Sequence, residues 1–165
     1  LFYHYKNKEG IIYEIFRHVG ELYINEMQAA IALHETGMAQ IEALLHFNSA
    51  FSRSHSRQLL IFLRDFPEKL TSPDSPLKDL IKNTGEQVVG IIARCLETGV
   101  ADRSLTTPEP RKTAYILNGL IFGLLHMNLL SPIEIPDLEE DVNEFCRAAL
   151  TTAGAFNSNS KQMAR

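Results

Sequence analysis

Apolar residues recur at spacings of three and four along most of the chain, and this spacing constrains the fold more than any other feature. The first run is Ile12, Ile15, Phe16, Val19 and Tyr23, which forms one apolar stripe on a helix. Further helices are predicted at about 38–51, 55–65, 76–99, 110–130 and 137–154. Because no stretch alternates long enough to predict a strand, the expected fold class is all-α.

Proline and glycine residues separate these helices. Thr36-Gly37 interrupts the first apolar stripe, and three prolines lie in the segment 67–76. Ser131-Pro132 follows the most apolar stretch. Pro76 is suited to the first turn of a helix. Gly99 is expected to end the helix that Pro76 begins. The breaks therefore predict a chain of helices joined by short loops.

The composition limits the classes of partner. The 165 residues are 45% hydrophobic and carry a formal net charge of -4, which fits one domain with a core and argues against general binding of polyanions. Polar residues and glycines interrupt the longest apolar run, 116–130, and we expect it to fall short of the roughly 20 apolar residues that cross a membrane. A cytoplasmic protein with no membrane contact is the resulting expectation.

No residue pattern of an enzyme or a metal site is visible. The six histidines, at positions 4, 18, 34, 46, 55 and 126, show no ligand spacing. Cys95 and Cys146 are far apart, lack a CxxC pattern, and are expected to be buried free thiols. Ser54-His55-Ser56 lies in a polar joint, where a helix cap is the simpler interpretation. We therefore expect no catalysis, no metal and no cofactor.

The N-terminal segment combines aromatic side chains with the start of a helix. It reads Leu1-Phe2-Tyr3-His4-Tyr5-Lys6-Asn7-Lys8-Glu9-Gly10. Tyr3 and His4 offer hydrogen-bond donors at the end of one helix. Lys8 adds a cation at the start of the next, where unpaired N–H groups also favour an anion. Such a set can contact backbone phosphates, which positions a protein on DNA without reading bases.

This segment resembles the end of the helix-turn-helix in the tetracycline-repressor (TetR) family. In that family the recognition helix ends in Leu-Tyr-x-His-Phe, followed by x-Ser/Asn-Lys-Glu and an apolar helix. The match here comprises Leu1, Phe2, Tyr3, His4, Tyr5, Asn7, Lys8 and Glu9, with the aromatics at Phe2 and Tyr5 exchanged. Gly10 replaces the more usual Glu.

The resemblance implies a division of the chain into three parts. Residues 1–7 would be the end of a truncated helix-turn-helix, 8–33 a linker helix, and 34–165 an effector-binding and dimerisation domain. Most of the base-reading head would then lie upstream of Leu1, either deleted or outside the sequence in hand. The later order of helices also fits the family, although those patterns are less specific.

The resemblance also implies a homodimer built on the last two helices as a four-helix bundle. The stretch 114–130 is apolar nearly all round, so it needs cover on more than one side. Gly119 and Gly123 would allow close approach to a partner. The last helix contributes the remaining interface candidates, which are Leu138, Val142, Phe145 and Ala149. A wholly internal core helix is the alternative.

Polar residues on apolar helix faces are the candidate ligand contacts. Asn118, Phe122 and His126 form one stripe on the fifth helix, since about 100° separates successive residues. The other candidates are Asn48 and Phe51, Phe62 and Phe66, and Gln87 and Ile91. These side chains would suit a small, largely apolar effector held by one or two polar contacts.

Two functions follow as hypotheses. The first is a ligand-responsive transcriptional regulator, in particular a repressor released from operator DNA when the effector binds the helical domain. The second is a helical adaptor that binds protein and no small molecule. A closed interior would favour the adaptor, and an apolar cavity would favour the regulator. The sequence does not identify the effector or the operator, and does not distinguish repression from activation.

Overall fold

The computed structural model describes residues 8–61, 63, 76–130 and 138–151. Regular structure in these residues is helical throughout, which confirms the all-α class for this part of the chain. The helices are α1 (Lys8–Ile31), α2 (Gly37–Ser54), α3 (56–61), α4 (Pro76–Asp102), α5 (Pro110–Leu130) and α6 (Leu138–Thr151). Pro76 and Pro110 begin α4 and α5, where a missing N–H removes no helical hydrogen bond.

The N-terminus of α2 is capped from two directions. The Thr36 hydroxyl accepts a hydrogen bond from the Ala39 N–H at 3.3 Å. At the end of α4, Asp102 Oδ2 accepts from the Gly37 N–H at 2.8 Å, and just beyond that helix Ser104 Oγ accepts from the Met38 N–H at 2.9 Å. Because the first N–H groups of a helix have no partner within it, these acceptors anchor the start of α2 beside the end of α4.

Two glycines make this anchoring possible. A Cβ atom on Gly37 would overlap the backbone of Gly99 and the carbonyl of Cys95. The prediction that Gly99 ends α4 is wrong, because the helix continues to Asp102. Arg103 then takes a positive φ of 65°. Gly99 is needed for close packing, and the left-handed residue after Asp102 ends the helix.

The core lies where α4 passes among α1, α2 and α5. Met27 of α1, Ile41 and Leu44 of α2, and Ile92 and Leu96 of α4 have no exposed surface. Helix α4 contacts α1, α2 and α5. This arrangement places one face of each of these helices around a shared interior, with α1 as its outer wall on one side.

Helix α6 packs against α2. Its Cys146 and Leu150 are buried in the core. Arg147 pairs with Glu42 at 2.6 Å, and Glu139 accepts from His46 at 2.8 Å and from Arg53 at 3.2 Å. Such exposed pairs each contribute about 0–1 kcal/mol, so the buried residues hold α6. Among the described helices, α6 makes no close backbone approach to α5.

Candidate ligand cavity

A cavity of about 210 Å³ lies between α1, α2, α4 and α5, with Leu59 of α3 on one side. Among the residues that the structure describes, the lining carries no Asp, Glu, Lys, Arg or His side chain. The lining residues are Phe16, Val19, Gly20, Tyr23, Asn48, Phe51, Leu59, Leu80, Ile81, Thr84, Gly85, Val88, Asn118, Ile121, Phe122 and Leu125. The site is therefore apolar, with a small number of neutral polar groups, as small-molecule sites commonly are.

An aromatic cluster stiffens the wall formed by α1 and α2. The ring of Tyr23 lies 5.2 Å from that of Phe47 and 5.1 Å from that of Phe51, the second pair edge to face. Phe51 also stacks on the His55 ring at 4.2 Å. Aromatic pairs in these geometries add about 0.5–1.5 kcal/mol beyond the area they bury. The cluster holds this side of the cavity in one shape.

Tyr23 and Asn48 form a hydrogen bond between α1 and α2 within that wall. The Tyr23 hydroxyl donates to Asn48 Oδ1 at 2.5 Å, and Asn48 Nδ2 donates to the Leu44 carbonyl at 2.8 Å. Burial raises the pKa of the Tyr23 hydroxyl above its ordinary value, while the bond to Asn48 acts in the opposite direction. The phenol is therefore neutral, and the cavity keeps no charge.

Asn118 and Thr84 supply polar atoms from α5 and α4. No described residue forms a hydrogen bond with the half-buried Asn118 amide, which therefore keeps its donors and acceptor for another group. An amide carries two donor hydrogens and an acceptor oxygen. This is the polar group of the lining that is best placed to hold a ligand.

Two glycines shape the cavity. A Cβ on Gly85 would meet no atom within 4 Å, so the absence of a side chain leaves room that the cavity uses. A Cβ on Gly20 would lie 3.3 Å from Thr84 Cγ2, so α1 approaches α4 closely at this point. Sequence reasoning missed both glycines. The available signal was their position inside helices, where glycine costs about 1 kcal/mol relative to alanine and so needs a reason.

Four of the predicted ligand contacts line the cavity. They are Asn48, Phe51, Asn118 and Phe122, the last of which also reaches solvent. Phe62 and Phe66 lie outside the described residues. Tyr23 was not among the candidates, although it belongs to the apolar stripe of α1. The sequence identified the stripe and gave no means of distinguishing a residue of the cavity wall from a residue of the core.

Gln87, Ile91 and His126 do not line the cavity. Gln87 is exposed, and Ile91 is buried in the main core. His126 is exposed, because it lies about 80° around the helix from Asn118, away from the centre of the lining face. The relevant α4 face runs through Ile81, Thr84 and Val88, and Gln87 points about 100° from Val88.

The DNA-contact candidates fall at the edge of the structure. Tyr3 and His4 lie outside the described residues. Lys8 is the first residue of α1, and only its backbone is described. Because the residues before Lys8 are not described, its position at the start of a helix and its contact with phosphate both remain predictions.

Four of the six interface candidates lie on surfaces that the single chain leaves open. A Cβ on Gly119 or Gly123 would meet no atom within 4 Å. Phe145 and Ala149 are exposed, whereas Leu138 and Val142 are half-buried and Val142 packs against the core. An open groove of about 1290 Å³ lies between α5 and α6, with α2 as its floor.

Helix α5 is apolar and poorly covered. Its most apolar window has a mean hydropathy of 1.4, and 17% of that window is buried. By length and composition α5 is thus apolar enough to cross a membrane, a criterion that the core helix of a soluble protein also meets. The expectation that the run 116–130 falls short of a membrane span is therefore wrong by length and composition, because the polar residues and glycines do not lower the mean hydropathy of α5 enough.

The two cysteines are buried and free, as predicted. Burial raises the pKa of Cys95 to about 11, with a smaller opposing effect of Arg94. Burial also raises the pKa of Cys146. Both thiols are therefore protonated near neutral pH and poor nucleophiles.

Comparison with known proteins identifies the fold class alone. No family model matches the chain, and no curated protein matches its sequence. A solved structure from Rhodococcus sp. RHA1, described as a protein with unknown function, superimposes with a TM-score of 0.72. It shares 10% sequence identity, over 90% of this chain and 77% of that chain. At such low identity the likeness shows a shared helical fold.

Proposed function

We propose that the chain is the sensor part of a ligand-responsive transcriptional regulator of the TetR type, most simply a repressor. The observation that carries this proposal is the position of the cavity. Its outer wall is α1, which begins at Lys8, directly after the segment that resembles the end of a TetR helix-turn-helix. A ligand in the cavity therefore touches the helix that would carry the DNA-binding head.

Contacts across the cavity give α1 a way to respond. Tyr23 bonds to Asn48 of α2, and Gly20 lies against Thr84 of α4. A ligand that enlarges the space between these helices shifts α1 and changes the separation of the two DNA heads in a dimer. Operator affinity then falls as far as the ligand prefers the shifted state over the DNA-binding state.

A second copy of the chain is the proposed cover for α5. Ile116, Met127 and Leu130 of α5 and Phe145 of α6 are large exposed apolar residues. Exposed apolar surface of this kind is typical of interaction sites. In a two-fold dimer the same surface of each copy would meet, with α5 or α6 of one copy entering the groove of the other.

An operator mobility shift with the full-length gene product tests the proposal. Lys8→Ala combined with Tyr3→Ala should weaken operator binding, because two phosphate contacts are lost. The dependence of operator affinity on salt should also become shallower, because one of the lost contacts is a cation. Lys112→Ala is the control. It removes an exposed cation of α5, which pairs with Glu109, and should leave operator binding unchanged. Equal operator affinity of the double variant and the control would contradict the phosphate contacts.

The alternative is an adaptor that binds a protein through the α5–α6 groove. The size of the groove favours this candidate. It requires no ligand in the interior. An operator shift that is absent in the full-length protein, together with an empty cavity, would favour the adaptor over the regulator.

A further inference from the structure

We infer that the cavity takes an uncharged, single-ring aromatic molecule with one hydroxyl or similar hydrogen-bonding group, anchored by the Asn118 amide. The inference deepens the proposed function and rests on it, since this molecule would be the effector. Its size, charge and polarity each follow from a different property of the cavity wall.

The volume sets the size of the ligand. An apolar cavity of roughly 150 Å³ holds benzene, and typical pockets for drug-sized molecules measure roughly 300–1,000 Å³. At about 210 Å³, this cavity lies between the two. It therefore fits one ring with small substituents. The rings of Phe16, Tyr23, Phe51 and Phe122 around it favour an aromatic ligand over an aliphatic one of the same volume.

The lining excludes a charged ligand. None of the described lining side chains is a carboxylate, ammonium, guanidinium or imidazole, and the pKa of the Tyr23 hydroxyl is raised by burial. An ion that leaves water for this site would find no countercharge, and such transfer is strongly unfavourable. A phenol is neutral at pH 7, because its pKa is about 10, whereas a carboxylic acid is ionised.

The hydrogen bonds that the polar side chains already make indicate which of them can bind the ligand. Asn48 already uses its oxygen for Tyr23 and one amide hydrogen for the Leu44 carbonyl. The Asn118 amide, on the opposite helix α5, has no partner among the described residues. A ligand hydroxyl near Asn118 can donate to the amide oxygen or accept from its nitrogen. The ring then extends toward Phe51 and the aromatic cluster.

Calorimetric titration of the 165-residue chain with phenol, toluene and benzoate tests the ligand class. Phenol and toluene have nearly the same shape and differ in the hydroxyl, and benzoate adds the charge. We expect phenol to bind about tenfold more tightly than toluene, because a lone polar group opposite a methyl stays unpaired. Benzoate should show no binding. Asn118→Leu should weaken phenol binding about tenfold and should not weaken toluene binding, because the variant has no polar group left unpaired opposite the methyl.

A pair of glycine variants shows whether the probes occupy this cavity. Gly85→Leu places a side chain in the open space and should abolish binding of phenol and toluene. Gly90→Leu makes the same change five residues later on α4, outside the lining, and should leave binding intact. Far-ultraviolet circular dichroism of both variants verifies that the helices form.

Each other outcome overturns a stated part of the inference. Preference for benzoate removes the requirement for an uncharged ligand. Equal binding of phenol and toluene, or no effect of Asn118→Leu, removes the polar anchor. Absence of binding by all three probes removes the single-ring class. None of these results bears on operator binding by the full-length protein, so the proposed function fails or stands by the mobility shift.

Discussion

At the scale of single residues, Tyr23 both lines the cavity and makes contacts that stabilise the fold. Its ring belongs to the aromatic cluster with Phe47 and Phe51, and its hydroxyl donates to Asn48. Since burial opposes ionisation of the hydroxyl, the bond is between two neutral groups. Its loss would leave an acceptor unpaired at the wall of the cavity.

Tyr23→Phe should therefore lower the free energy of unfolding by about 1–2 kcal/mol, the cost of removing one partner of a buried hydrogen bond. Chemical denaturation at pH 7 measures this. Tyr115→Phe is the matched control, because its hydroxyl donates to Glu86 at an exposed site. Its effect should stay within about 0.5 kcal/mol. Equal effects of the two variants would show that the Tyr23–Asn48 bond has no special weight.

Gly37 is the second residue whose substitution should change the stability of the fold by a predictable amount. Gly37→Ala should lower stability by about 3 kcal/mol, because the added methyl overlaps the backbone of α4 and the two helices must separate. Gly90→Ala, within α4 and free of close neighbours, should be neutral or stabilising by up to about 1 kcal/mol. Thermal unfolding followed by circular dichroism compares them. A stable Gly37→Ala protein would contradict the close contact.

At the scale of helices, the end of α4 fixes the start of α2. Asp102 Oδ1 accepts from the Ser104 N–H at 2.7 Å while its Oδ2 accepts from Gly37. Three hydrogen bonds lower the pKa of Asp102. The largest effect comes from the Ser104 side chain, and smaller effects come from the backbone N–H groups of Gly37 and Ser104. Since α2 forms one wall of the cavity, this carboxylate positions Asn48 and Phe51 indirectly.

The lowered pKa of Asp102 gives a pH dependence of known sign. A carboxylate with a folded-state pKa below its unfolded value stabilises the fold above the unfolded value, about 3.9 for Asp. That stabilisation is lost as the pH falls through the lower folded-state value. Asp102→Asn should therefore lower the melting temperature at pH 7 and make it less sensitive to pH below about pH 4. Parallel acid unfolding curves for variant and wild type would contradict this role.

At the scale of the whole molecule, the uncovered surface of α5 is where the proposed dimer can be tested. Ile116 is 71% exposed and Phe145 is 66% exposed. In a single chain these side chains contribute little to folding, so their replacement should change stability by no more than about 0.5 kcal/mol. In a dimer they would be buried, and a buried unpaired charge disrupts an interface.

Ile116→Glu combined with Phe145→Glu should convert a dimeric wild-type chain into a folded monomer. Sedimentation velocity measures the change in mass. Leu33→Glu is the control, because Leu33 is 83% exposed and lies in the loop after α1, which is part of neither α5 nor α6. A monomeric wild type would contradict the dimer. Flotation of the wild type with lipid vesicles, lost in the double variant, would assign the same surface to a membrane.

The spacing of apolar residues was sufficient to predict the all-α class and the approximate positions of the described helices, because burial of one helix face is a local, periodic requirement. Pro76 and Pro110 were correctly placed at helix starts for the same local reason. Gly99 was misinterpreted as a terminator, since its contact with Gly37 joins residues distant in sequence. A local pattern indicates that a glycine is unusual and does not reveal which backbone approaches it.

For the cavity, too, the sequence predicted the helix face on which a residue lies, and the tertiary structure was needed to show which faces meet. The sequence by itself determined that Asn48 and Asn118 lie on apolar helix faces. Only the tertiary structure decided that they face one space, that Gln87 and His126 point away, and that Gly20, Tyr23 and Gly85 complete the wall. The reason is physical. Helical phase fixes a direction relative to one axis, and the relative positions of α1, α2, α4 and α5 depend on packing between residues far apart in the chain.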